Sequence, residues 1–152
     1  MKRIFVFALA LVLFLTVPAS ALDNDAYIYE LSMLCEIFAA PAIGKPTYIE
    51  DGFRCSVADK GSLLCFDNDT ALYIQLEMPS AEGDAFIRTA AAILYAAPYS
   101  GKSTMFSNLL FQFVTAEESQ DNYSIAVDGT GIKIEKTAMM YTFVYIHPYG
   151  KD

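Results

Sequence analysis

The sequence predicts an α+β fold in which helices pack on one face of a single antiparallel sheet. Two observations carry this prediction. Apolar residues recur at three- and four-residue steps in some regions, and they alternate with polar residues between short glycine-containing turns in others. The chain has 152 residues, of which 55% are hydrophobic and 18% charged, so it is long enough for one domain with a proper core.

Residues 1–21 have the features of a cleaved signal peptide. Lys2 and Arg3 form a positively charged start, the run Ile4–Val17 is apolar and uncharged, and Ala19-Ser20-Ala21 supplies the small residues that a signal peptidase recognises. The run is shorter than the roughly 20 residues that a membrane-spanning helix needs. We therefore predict cleavage directly after Ala21 and a secreted or periplasmic location.

The predicted mature domain, residues 22–152, is acidic. The whole chain carries a formal net charge of −8 with 18 acidic and 10 basic residues, and two of the basic residues lie in the leader. Such a charge disfavours nucleic acid and anionic membranes as partners. Because no other segment is long and apolar enough for a membrane helix, we expect no nucleic-acid partner and no stable membrane insertion.

The first half of the domain is predicted to be a helix followed by three strands. Asp23 or Asn24 can cap the helix, which ends before Pro41. Asp59-Lys60-Gly61 and Asp67-Asn68-Asp69 are the predicted turns between strands. The strands place apolar residues at alternate positions: Phe53, Cys55 and Val57, then Leu63 and Cys65, then Leu72, Ile74, Leu76 and Met78.

The second half is predicted to contain two helices and three more strands. An alanine-rich helix over 80–97 follows the first strand region, and a second helix over 103–115 precedes the next strand region. The turn Asp128-Gly129-Thr130-Gly131 separates the first two of the new strands. The strands themselves are predicted at Tyr123–Val127, Ile132–Ile134 and Met139–His147.

The two strand regions resemble each other, which suggests a duplicated unit of one helix and a three-strand meander. A shift of 69 residues places Leu72, Ile74, Leu76, Met78 and Pro79 on Tyr141, Phe143, Tyr145, His147 and Pro148. The alternative is that any two antiparallel meanders look alike at this level, since two repeats define a period only weakly.

Three cysteines, Cys35, Cys55 and Cys65, lie in the predicted mature domain. An odd number in an exported protein leaves at least one thiol unpaired. If Asp59-Lys60-Gly61 is the hairpin loop, Cys55 faces Cys65 at a pair close enough for a cross-strand disulfide. Alternatively, Cys35 bonds to one of them, or all three are free thiols and Cys55 and Cys65 are small core residues. We expect Cys35 to be unreactive, because it lies on the apolar face of a helix.

The last strand supplies the candidate site residues. Tyr141, Phe143 and Tyr145 share one face, which is either buried beneath the helices or exposed to a partner or an apolar ligand. His147, the only histidine, ends the same strand. A single histidine excludes metal sites built from several histidines, and it would have to be the base of any Ser–His–Asp hydrolase.

Two further motifs are weak. Residues 96–103 resemble a phosphate-binding loop, but a helix rather than a strand is predicted before them, and Pro98 removes one N–H donor. Asp67-Asn68-Asp69 lacks the later glycine and glutamate of a calcium-binding loop. We therefore expect no cofactor and no metal.

The sequence favours a non-enzymatic exported protein that binds an unidentified protein or small ligand. One alternative is a small extracytoplasmic hydrolase in which His147 acts with nearby carboxylates. Another is a self-associating structural or envelope component, such as a homodimer paired through sheet edges or the tyrosine-rich strand. An enzyme should have a pocket with an acid beside His147, whereas a binding protein should have an exposed apolar patch or groove.

Overall fold

The computed structural model describes residues 22–97, 122–127 and 129–149. In this part of the chain, α1 (Asn24–Ile37) comes first, and a 3-10 turn (Ser80–Glu82) leads into α2 (Gly83–Ala96). The seven strands are β1 (Thr47–Ile49), β2 (Gly52–Val57), β3 (Gly61–Asp67), β4 (Ala71–Pro79), β5 (Asn122–Val127), β6 (Thr130–Lys136) and β7 (Met140–Pro148). The helix predicted over 103–115 lies outside the described residues.

All seven strands belong to one antiparallel sheet in the order β1-β2-β3-β4-β7-β6-β5. The α+β class and the antiparallel sheet are therefore confirmed. The second half contributes the three predicted strands, whereas the first contributes four, because the short strand β1 precedes the three that were predicted. Strands β4 and β7 pair at the centre of the sheet over their full lengths, from Ala71 opposite Pro148 to Pro79 opposite Met140. This central pairing joins the two halves of the chain into one sheet with a continuous core.

The core lies on one face of the sheet. The apolar positions predicted for β4 are all fully buried, as strict alternation along a half-buried strand requires. Helix α1 contacts this face where the Tyr27 ring lies 6.2 Å from that of Phe53, and α2 contacts it where the Phe86 ring stacks on Tyr141. The alanines of α2 allow a close approach between helix and sheet.

Both ends of α1 and the end of α2 agree with the sequence-based expectations, whereas the α-helical part of α2 begins three residues later than predicted, after the 3-10 turn. The side chain of Asp23 accepts hydrogen bonds from the backbone N–H groups of Asp25 and Ala26, both at 3.1 Å, so Asp23 is the N-cap of α1. The helix ends just before Ala39, whose φ of +51° turns the chain away. Helix α2 ends at Ala96, directly before the region that begins at Pro98.

The hairpin between β2 and β3 differs from the prediction by one residue. Val57 pairs with Gly61, so the loop is Ala58-Asp59-Lys60, and Ala58 takes the positive φ that the sequence assigned to glycine. Gly61 lies in the strand instead, where a Cβ would be 2.6 Å from the Val57 carbonyl oxygen. The glycine thus serves a close backbone approach rather than the turn conformation.

Candidate functional site

The aromatic side chains of β7 are core residues. Phe143 is fully buried and Tyr145 is 2% exposed, while Tyr141 is half-buried with its ring centroid 5.1 Å from that of Phe86 in α2. Of the two alternatives for this face, burial therefore describes Phe143 and Tyr145, whereas Tyr141 and His147 are only partly buried, and a partner surface that includes them stays a prediction. The physical reason for the burial is the central place of β7, whose aromatic face meets the helices and whose other face carries Val144 and Ile146.

His147 lies at the edge of this core and contacts a hydroxyl group. Its Nδ1 is 2.6 Å from the Thr130 Oγ1, and its ring meets the Tyr149 ring edge-on at 6.0 Å. Partial burial lowers the pKa of His147 below its ordinary value, so the neutral ring is favoured. A hydrolase triad places a carboxylate on the ring nitrogen remote from the nucleophile. The hydroxyl at Nδ1 is a different arrangement.

The three cysteines are buried and free. Cys55 lies opposite Leu63, and Cys65 lies opposite Phe53, so the two cysteines are diagonal neighbours rather than the facing pair that was predicted. Burial raises the thiol pKa of Cys35 and Cys55 to about 11. Burial, together with the nearby Asp67 charge, raises that of Cys65 to about 12. These thiols are therefore protonated near neutral pH and unsuited to nucleophilic catalysis.

The opposite face of the sheet, which points away from α1 and α2, carries a cavity of about 360 Å³. Cavities of this size are typical of sites for small molecules. It extends over β1, β2, β3 and β4, where outward-pointing side chains from four strands meet. The lining residues are Thr47, Ile49, Arg54, Ser62, Leu64, Gln75 and Glu77.

The strand register determines how these side chains are arranged. Arg54 pairs with Leu64, and Leu64 pairs with Gln75, so the three form a row across neighbouring strands. Ser62 pairs with Glu77 in the next row. Because adjacent strands lie roughly 4.8 Å apart, the backbones of β2 and β4 are about 10 Å apart. Arg54 and Glu77 thus stand on opposite sides of a floor formed by Leu64.

A chain of hydrogen bonds orients the polar wall of the cavity. The Tyr73 hydroxyl donates to the Gln75 Oε1, and the Gln75 Nε2 donates to the Glu77 Oε1 at 2.8 Å. The Ser62 hydroxyl lies 3.5 Å from the Glu77 Oε2, at the limit of a hydrogen bond. The side chain of Arg54 is exposed on the other wall. The cavity therefore presents a fixed carboxylate and an adaptable guanidinium group.

This site was missed in the sequence because its signal is weak. Arg54 and Glu77 appear there only as the polar members of two alternating strands, and such residues are usually solvated. The pairing of β2, β3 and β4 determines which outward-pointing side chains are neighbours. A one-residue error in the register would move every side chain to the other face.

The site has no feature of a metal centre or a membrane segment. Across residues 22–97, 122–127 and 129–149, no group of three histidine, cysteine, aspartate or glutamate residues could hold a metal ion. Neither described helix is long and apolar enough to cross a membrane. No protein-family model, curated protein or solved structure matches the chain.

Proposed function

We propose that the protein is an exported, non-enzymatic binding module whose site is the cavity on the outward face of the sheet. The observation that carries this proposal is the placement of Arg54 and Glu77 on opposite sides of an apolar floor. The basic start, apolar run and small-residue cleavage pattern of residues 1–21 support export.

The chemistry of the lining favours a small zwitterion as the ligand. A guanidinium group recognises a carboxylate through paired N–H donors, and the Glu77 carboxylate can accept hydrogen bonds from an ammonium group. Leu64 and Ile49 provide an apolar surface for the rest of the molecule. A free amino acid or a dipeptide carries both charges and fits a cavity of about 360 Å³.

The test is a binding titration on the mature chain that begins at Leu22. Amino acids and dipeptides are added to isotopically labelled protein, and shifts of the backbone amide resonances of β2 to β4 are followed by NMR. Arg54→Gln and Glu77→Gln should each weaken binding at least about tenfold, because each removes one charge-assisted contact. Binding that is unchanged in both variants, or an absence of shifts throughout the panel, would overturn the proposal.

Matched controls separate local contacts from net charge. Lys133 and Glu135 form an ion pair on β6, on the same face of the sheet but outside the cavity lining. Lys133→Gln and Glu135→Gln change the net charge as the cavity variants do, yet should leave the affinity within about twofold. N-acetylated amino acids should lose the dependence on Glu77 and keep the dependence on Arg54.

A second candidate function is self-association, favoured by one surface. Tyr29, Met33 and Ile37 follow one another at four-residue steps along α1 and are 67%, 43% and 75% exposed. An apolar stripe of this kind is typical of a helix that packs on another protein. Light scattering of the wild type and of Met33→Lys would test it. A dimer that dissociates in the variant supports self-association, and a monomer at high concentration excludes it.

A further inference from the structure

A buried carboxylate binds the residue at which the mature chain is predicted to begin. Asp67, at the end of β3, is 9% exposed. Its Oδ2 accepts a hydrogen bond from the backbone nitrogen of Leu22, and its Oδ1 accepts one from the Tyr149 hydroxyl. The side chain of Leu22 packs against the core. Through these two hydrogen bonds, Asp67 at the end of β3 connects the start of the domain to the segment after β7.

The described side chains offer the Asp67 carboxylate no cationic partner. In the described part of the chain, Lys133 and Glu135 form the only ion pair between side chains, so no described lysine or arginine pairs with Asp67. The chain as a whole is acidic, with a net charge of −8. A buried carboxylate without a positive partner is costly, even when it accepts hydrogen bonds. The Leu22 nitrogen, which is hydrogen-bonded to Asp67, becomes a cation when it is a free α-amine.

Two independent observations concern the backbone nitrogen of Leu22. The leader pattern predicts cleavage between Ala21 and Leu22, and the fold places the Leu22 nitrogen against Asp67. In the precursor this nitrogen is a neutral amide with one N–H. Hydrolysis of the Ala21–Leu22 bond by a signal peptidase consumes one water, leaves a carboxylate on Ala21 and frees the Leu22 amine, which then takes up a proton.

We propose that processing creates an ion pair between the α-ammonium group of Leu22 and the buried carboxylate of Asp67, and that this pair completes the fold of the mature protein. The inference rests on the proposed export and cleavage. In the precursor, the amide of Leu22 offers Asp67 a hydrogen bond without a charge. The mature chain offers the same hydrogen bond with a full positive charge in a site of low dielectric constant, where the attraction is strongest.

A double-mutant cycle tests the ion pair. The first chain begins at Leu22, released from a fusion partner by a protease that cuts directly before it; the second keeps Ser20 and Ala21. Each is prepared with Asp67 and with Asp67→Asn. With Asp67 present, the chain that begins at Leu22 should melt about 5 °C or more above the extended chain. In the Asp67→Asn background, this difference should largely disappear.

The control is Asp69→Asn, an exposed aspartate two residues further along the chain. It removes the same charge and should leave the difference between the two chains unchanged. An equal difference in the Asp67 and Asp67→Asn backgrounds, or no difference with Asp67 present, would overturn the ion pair.

A second measurement applies if Asp67→Asn does not fold. The α-amine of the folded wild-type chain is treated with an acylating reagent at neutral pH, and modification of Leu22 is followed by mass spectrometry. Ion pairing should slow this reaction at least about tenfold relative to the unfolded chain. Modification at the rate of the unfolded chain would contradict the proposal.

The N-terminus of protein taken from the host's extracytoplasmic fraction separates this inference from the proposed export. A mature chain that begins elsewhere overturns both the cleavage site and the ion pair in the cell. A chain that begins at Leu22 but shows no coupling to Asp67 overturns the ion pair alone and leaves the proposed export intact.

Discussion

Cys55 lies opposite Leu63 across the β2–β3 hairpin, and Cys65 lies two residue pairs further along the ladder, opposite Phe53. This register follows from Ala58, which takes the left-handed conformation with a φ of +51° and so moves the loop one residue toward the N-terminus. Residues that are diagonal across two strands lie farther apart than residues that face each other. The thiols are therefore free in a core that α1 covers.

Thiol labelling checks this arrangement. At pH 8, the folded chain should react slowly at all three cysteines, because the pKa values of about 11 and about 12 leave about one thiolate in a thousand or fewer. The same chain in denaturant should react rapidly at Cys35, Cys55 and Cys65. Intact mass without reductant should match three free thiols. A mass lower by two hydrogens, or rapid labelling of the folded chain, would contradict the structure.

The hydroxyl of Tyr27 leads to a second prediction. Tyr27 is buried in α1, and its Oη has no hydrogen-bond partner among the described residues. Burial raises the phenol pKa well above its ordinary value, with smaller effects from neighbours that include Cys65. Tyr27→Phe keeps the ring beside Phe53 and removes an unpaired polar atom, so the free energy of unfolding should rise by about 1 kcal/mol.

Urea unfolding measures this change, and Tyr149→Phe is its control. The Tyr149 hydroxyl donates to Asp67, so the same chemical change should there lower the free energy of unfolding by about 1 kcal/mol. A loss of stability in Tyr27→Phe similar to that in Tyr149→Phe would show that the Tyr27 hydroxyl has a partner.

Two glycines on one row of the sheet should respond differently to alanine. A Cβ on Gly52 would lie 1.9 Å from the Cys65 carbonyl oxygen, and the other nearby atoms also belong to the backbone. A Cβ on Gly131 would lie 4.0 Å from its nearest neighbour, the Ile146 carbonyl oxygen. Gly52→Ala should destabilise by about 3 kcal/mol, whereas Gly131→Ala should change stability by less than about 1 kcal/mol. Thermal unfolding of both variants decides the matter, and equal melting temperatures would contradict the close approach at Gly52.

The local elements could be predicted from the sequence because their causes are local. The cap at Asp23 and the buried alternation of β4 depend on residues a few positions apart. The hairpin at Ala58 could not be predicted, since glycine is the usual residue at positive φ. The cavity between Arg54 and Glu77 depends on the register of three strands, which the alternation of each strand leaves undefined.

The register also bears on the predicted duplication. Gln75 pairs with Val144, and the shift of 69 residues found in the sequence takes the first residue to the second. The same shift takes the Leu63–Leu76 pair of β3 and β4 to the Ile132–Tyr145 pair of β6 and β7. A two-fold axis between β4 and β7 that related the two halves of the sheet would produce this shift of 69 residues. The duplication itself stays a prediction, since equal registers also arise in unrelated meanders.

His147 should make stability depend on pH below its ordinary pKa of 6.5. Burial lowers the pKa of the folded state below the ordinary value of 6.5, so below that pH the unfolded chain binds more protons than the folded chain. The contribution of His147 to the free energy of unfolding is therefore fully present above pH 6.5. It is lost as the pH falls through the lower pKa of the folded state. The effect is modest, because solvent screens the partly exposed ring. As His147 is the only histidine, His147→Gln should flatten the pH dependence of the melting temperature in this range. An identical slope in the wild type and the variant would assign the dependence to the carboxylates instead.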